Sequence, residues 1–224
     1  MILFCKEIKI QEGFTRLPAI LSLPASAKGV VIFAHGSGSS RLSPRNQQVS
    51  QALVEAGLGT LLFDLLTERE SCDRSNVFNL SLLASRLTLA TRWIQKQEST
   101  KNLPIGYFGA STGAGAALWA AADLQNEISA VVSRGGRPDL AIPKLSRVSA
   151  PTLLIVGGND QAVIEMNQKA LNYLSMANLI VIPGATHLFE EPGALERVSQ
   201  EAIFWFLKHL QEISKRTKRE GKAA

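Results

Sequence analysis

The sequence predicts one α/β domain, a mainly parallel eight-stranded sheet flanked by helices, followed by a basic tail over residues 214–224. Three observations carry this. From Gly29 to Ile213, short β-branched and apolar runs alternate with longer stretches of helical periodicity, the pattern of β-α-β units. Before them stand two strand-like runs separated only by the turn-like segment "QEGFTR", which predicts an antiparallel hairpin. Finally, glycines and polar residues concentrate in loops that directly follow strand-like runs, where open parallel sheets bind their ligands.

In chain order the strands are predicted at Cys5–Ile10, Leu17–Leu23, Gly29–Ala34, Gly59–Phe63, Ile105–Phe108, Ile128–Val132, Thr152–Val156 and Leu179–Ile182. Helices are predicted at Arg45–Ala56, Ser81–Gln97, Thr112–Leu124, Ile164–Leu174 and Ala194–Ile213. The run "AIFWFLKHL" at residues 202–210 is apolar nearly all round and predicts a deeply packed helix. About twenty residues separate the sixth and seventh strands, too few for an inserted lid domain. The loop "LLTERESCDRSN" is strongly polar, so the sequence predicts an open, shallow site that prefers short acyl chains.

Composition narrows the classes of function. Hydrophobic residues make up 46% and charged residues 19%, ordinary for a globular domain. The net charge of +5 lies mostly in Lys215–Lys222, with five cations and one anion, so the body is nearly neutral. A neutral body has no basic surface for a nucleic-acid groove, and no apolar run reaches the length of a bilayer span. No nucleic-acid or membrane partner is expected. The two cysteines, Cys5 and Cys72, form neither a disulfide framework nor a metal motif. With no secretory signal in "MILFCKEIKI", a cytoplasmic monomer or homodimer without metal or cofactor is expected.

Gly109-Ala-Ser-Thr-Gly113 has the Gly-x-Ser-x-Gly spacing of a serine held on a tight strand-to-helix turn. Glycines two before and two after relieve crowding there, and the helix N-terminus favours developing negative charge. The spacing alone is weak; its position between "IGYFG" and "TGAGAALWAAADL" gives it meaning. A serine hydroxyl needs a base, and there are three histidines. His209 lies inside the last helix, and His35 ends the third strand as a loop brace. His187, in the loop after the last strand, is the base. Asp160, after the seventh strand, is the carboxylate that orients it, with Asp64 as the alternative and helix capping as the structural role for Asp160.

The order Ser111, Asp160, His187 resembles that of an α/β-hydrolase, and the small lidless chain is similar to the dienelactone hydrolase family. The blocks "HGSGSSRLSPRN" and "SRGGRPDLA" resemble a branch of that family with poorly defined substrates. The resemblance implies an oxyanion hole made by the amide of Thr112 and that of Ser37, with Gly38 as the alternative. It departs from the family in one respect: dienelactone hydrolases proper use a cysteine nucleophile, and this chain has Ser111.

The expected activity is hydrolysis of a small-molecule ester or lactone through an acyl-enzyme. A thioesterase or acyltransferase would use the same parts, and a non-catalytic hydrolase-fold binding protein is the rival from another class. "GSGSSR" lacks the third glycine of a dinucleotide loop. Arg41, Arg45 and Arg134 fall in loops at the catalytic end. There they either receive a substrate carboxylate or brace the loops against Asp64, Glu68 or Asp139. Arg41 and Arg134 are the candidate substrate-binding pair.

Overall fold

The computed structural model describes the backbone of residues 2–220 and the side chains of residues 4–210. Its eight strands are β1 (Ile2–Glu12), β2 (Thr15–Pro24), β3 (Val30–Ala34), β4 (Gly59–Phe63), β5 (Ile105–Ala110), β6 (Ile128–Arg134), β7 (Thr152–Gly157) and β8 (Ala177–Ile182). They form one sheet in the order β1-β2-β4-β3-β5-β6-β7-β8. β1 and β2 are the predicted hairpin; Glu12 faces Thr15, so the turn is only Gly13-Phe14. β2 also runs antiparallel to β4, and every later pairing is parallel.

Helices α1 (Pro44–Glu55), α3 (Leu80–Lys96), α4 (Thr112–Leu124), α6 (Gln161–Leu171) and α7 (Ala194–Glu220) cover the sheet. Two one-turn helices escaped the sequence reading, α2 (Glu68–Ser71) and α5 (Ile142–Leu145). Both are too short to show a helical period. In β3, Val30, Ile32 and Ala34 face one core with α3 and α4, while Val31 and Phe33 face the other with α1 and α7. Both faces are apolar because both are covered, which is why the parallel strands read as unbroken hydrophobic runs.

Helix α7 is less buried than its sequence suggests. Val198, Ala202, Trp205, Phe206 and Leu210 form a buried stripe at helical spacing, but Phe204 is 66% exposed on the opposite side. The helix runs on to Glu220, past its predicted end at Ile213, and residues 221–224 of the basic tail lie outside the described residues.

The topology positions the site. The chain leaves β3 through α1 on one face and returns to β5 through α3 on the other. The loops after β3 and β5 therefore diverge and leave a crevice at the carboxyl ends of two adjacent strands.

Candidate active site

Ser111 occupies that crevice. It follows β5 directly, serves as the N-cap of α4, and has φ 50° and ψ −122°, a region that non-glycine residues rarely adopt. Three backbone hydrogen bonds hold it there. Its amide donates to the carbonyl of Arg134, and its carbonyl accepts from Ala114 and Arg137. The flanking glycines have the expected steric reason. A Cβ on Gly113 would lie 2.2 Å from the carbonyl oxygen of Ala34, and one on Gly109 2.4 Å from Cα of Ala114.

His187 Nδ1 and Asp160 Oδ2 are 2.6 Å apart. Asp160 is the N-cap residue of α6 yet makes no side-chain capping bond, so its carboxylate serves the imidazole rather than the helix end. With the Nδ1 proton donated to Asp160, the lone pair rests on Nε2. The loops carrying the two residues are tied together, since the Asn159 amide donates to Ala185 O and its side chain to Gly184 O. Asp64, the alternative carboxylate, instead accepts from the Arg41 amide at 2.7 Å and its guanidinium at 2.6 Å.

Ser111 and His187 line one cavity of about 230 Å³, together with Ser37, Ser39, Ser43, Arg45, Asn46 and Arg134. Arg134 is its unusual member. The side chain is 7% exposed, and its Nε and Nη1 are buried with no hydrogen-bond partner. Among the described residues its side chain makes one polar contact, a long bond from Nη2 to Asn46 Oδ1 at 3.5 Å, and the Phe189 ring lies 5.9 Å from its Cζ. Burial, and secondarily the neighbouring charge of Arg45, lower its pKa to about 10. It is a charged guanidinium at neutral pH with no carboxylate paired to it among the described residues. Arg45 differs, because its Nη1 pairs with Glu190 at 2.6 Å. Arg41 is directed away to Asp64 and lines neither this cavity nor its neighbour.

The loop after β3 closes the other side. His35 is braced at both ring nitrogens: Nε2 accepts from the Leu65 amide at 3.1 Å, which puts the proton on Nδ1, 2.9 Å from Gly36 O. Burial lowers its pKa, against the opposing pull of the Gly36 carbonyl and of Asp64. The loop brace expected from sequence is what His35 is. The Ser37 amide donates to the side-chain hydroxyl of Thr112 at 2.9 Å. One of the two expected oxyanion donors is thus engaged by the side chain of the residue that carries the other. Sequence spacing carries no signal for that bond, which links residues 75 apart.

A second cavity, of about 440 Å³, lies across this loop and shares Gly36, Ser37 and Ser39 with the first. The shallow site expected from the polar composition of residues 65–76 is therefore corrected. The segment folds into α2 and a 3-10 turn (Arg74–Phe78), which brings Leu65, Leu66 and Val77 onto the cavity wall beside Glu68 and Ser71.

The dienelactone hydrolase family model matches residues 17–210. This chain belongs to the dienelactone hydrolase family. It is 52% identical to a dienelactone hydrolase from Anabaena variabilis of known crystal structure, with a TM-score of 0.89 over 92% of this chain and 99% of that one. Two relatives from strains of Mycobacterium tuberculosis, each called "Putative phosphoribosyl transferase", are 56% identical over 206 residues. Those residues are 92% of this chain but only 46% of theirs, so the chain spans about half the length of the curated relatives it matches. Est1E from Butyrivibrio proteoclasticus shares the fold, with a TM-score of 0.78 at 18% identity over 91% of this chain and 98% of its own. Family and fold place the chain in the α/β-hydrolase architecture. Among the described residues no helix is long and apolar enough to cross a membrane.

Proposed function

We propose that this protein is a serine hydrolase of small carboxylic esters or lactones that bear a negatively charged group. The observation that carries the reading is the 2.6 Å contact between His187 and Asp160, with His187 lining the same cavity as the strained Ser111. In the proposed reaction Ser111 Oγ attacks the carbonyl carbon while His187 Nε2 takes its proton. Collapse of the tetrahedral intermediate breaks the bond to the leaving oxygen, which receives that proton from His187. Water then attacks the acyl-enzyme, giving its proton to His187, and Ser111 recovers one as the acid departs. Asp160 fixes the tautomer of His187 and stabilises its charged form. Thr112 contributes an amide at the helix N-terminus to the oxyanion; Ser37 contributes another once the carbonyl oxygen displaces the Thr112 hydroxyl.

Arg134 supports the negative charge on the substrate. A buried cation with no anionic partner costs free energy, and a carboxylate matching its free N–H groups would recover that cost. The phosphoribosyl transferase reading rests on a name given to proteins of which this chain spans under half, and the cavity supplies no observation in its favour.

A serine-directed fluorophosphonate tests the nucleophile. Covalent labelling on the peptide containing Ser111, absent in Ser111→Ala, is expected; an unlabelled but folded protein would overturn the reading.

A further inference from the structure

We infer that the second cavity, across the loop of residues 36–40 from Arg134, is a subsite for a compact apolar group of the substrate, of the size of a phenyl ring. This rests on the proposed hydrolase reading. The cavity measures about 440 Å³ and lies within the range of about 300–1,000 Å³ that holds small-molecule ligands. Its apolar walls are Pro18 from β2, Leu65 and Leu66 after β4, Val77, and Leu83 from α3. Two carboxylates also line it: Asp64, which Arg41 neutralises, and Glu68, which is exposed to solvent.

The wall is built rather than loose. Thr67 and Glu70 form a reciprocal capping box at the start of α2, and Glu70 also pairs with Arg86 on α3. The side chain of Asn76 donates to Glu70 O at 2.9 Å and ties the following turn to α2. These contacts hold Val77 and Leu66 facing Leu83 with no substrate present.

What ties the cavity to the reaction is Thr112. Thr112 lines this cavity, whereas its neighbour Ser111 lines the one with His187 and Arg134. A carbonyl attached to Ser111 with its oxygen toward the Thr112 amide sits at the junction. Its two substituents then diverge, one toward a guanidinium and one toward an apolar chamber. The substrate class that satisfies both is an ester or lactone with a carboxylate on one side of the scissile bond and an apolar ring on the other.

The test compares methyl acetate, benzyl acetate and methyl phenylacetate by pH-stat, since the alcohols leave with similar ease and only the ring differs. Benzyl acetate places the ring on the alcohol and methyl phenylacetate places it on the acyl group, so the two arms identify which side enters. The wild-type protein is expected to favour at least one ring ester over methyl acetate by at least about tenfold in kcat/KM, because burying an aromatic group contributes about 1.5–3 kcal/mol. Val77→Trp, which fills the chamber from a half-exposed position, should lower that ratio about tenfold or more, and Leu66→Phe should lower it in the same direction. No preference for either ring ester, or an unchanged ratio in both variants, would overturn the subsite. If instead ester turnover survives Ser111→Ala, the nucleophile assignment fails while the chamber is still tested by benzyl alcohol. Benzyl alcohol should shift the methyl NMR signals of Val77 and Leu83 in the wild-type protein, and unshifted signals would overturn the chamber on their own.

Discussion

The backbone amide of Ser111 donates to the carbonyl of Arg134 across 3.2 Å. The two residues sit at the ends of adjacent parallel strands, where Ala110 is in register with Arg134. This link uses only main chain, so the guanidinium can be removed without disturbing the turn that holds the serine.

Arg134→Met should therefore separate binding from folding. KM for an anionic ester should rise about 10- to 100-fold, the worth of a charge-assisted hydrogen bond of about 1.5–3 kcal/mol, while a neutral ester is little affected. Because the variant removes a buried cation without an anionic partner, the melting temperature of the free protein should rise, by about 2–4 °C for each kcal/mol relieved. Equal kinetic losses on both esters with a lower melting temperature would make Arg134 a structural residue.

Ser111→Ala and His187→Ala should each lower kcat by several orders of magnitude, and the double variant should be scarcely worse, because the residues act as one unit. Asp160→Asn should cost less than loss of the serine but still far more than Asp64→Asn. Single-turnover and steady-state rates on a chromogenic ester check this ranking. A silent Asp160→Asn would remove it from the mechanism.

His35 predicts a pH dependence of stability. Its folded pKa lies below the ordinary value of 6.5, so the unfolded chain binds the proton more readily. The sign follows: the neutral imidazole stabilises the fold above that value, and this contribution is lost as pH falls from about 6.5 through the folded pKa. Protonation of Nε2 also takes away the acceptor for the Leu65 amide. Melting temperatures between pH 7 and pH 5 should decline, and His35→Gln, which retains an acceptor, should flatten the slope. An identical slope in the variant would exclude His35 as its source.

Thr112→Val keeps the amide at the helix N-terminus and deletes only the hydroxyl that holds Ser37. Losing about 1 kcal/mol of loop registration should lower kcat roughly fivefold with little change in KM. A higher kcat in Thr112→Val would show instead that displacing the hydroxyl from the Ser37 amide costs the reaction more than its hold on the loop contributes.

The sheet was legible in the sequence because each parallel strand is buried on both faces and so stands out as an uninterrupted apolar run between helices. The serine turn was legible for a related reason: its glycines follow from backbone contacts that permit no side chain. Pairing choices were not legible. Asp64 was among the expected braces for the arginines, but nothing local in the chain says that Arg41 is the one it answers or that Arg134 has no carboxylate beside it, because those partners meet only across the folded crevice. The apolar chamber was hidden for a third reason. The residues between Leu66 and Val77 are polar apart from Cys72, and only folding brings the two leucines and the valine together on the chamber wall. In α7, the apolar run concealed the exposed Phe204 because a helix buries a stripe and composition does not reveal which residues lie on it.

The tight approach of Gly113 to the carbonyl of Ala34 has a consequence for anyone wishing to redesign the protein. Gly36 repeats the arrangement from the facing loop, where an added Cβ would come within 3.2 Å of both Ala110 O and the Ser111 side chain. The loops after β3 and β5 are interlocked like gear teeth and cannot be diversified one at a time. A mutational library spread evenly over residues 34–40 and 109–113 would be filled with misassembled clones. One restricted to Leu66 and Val77, and to Arg134 across the crevice, would vary what enters the site while leaving the gearing untouched.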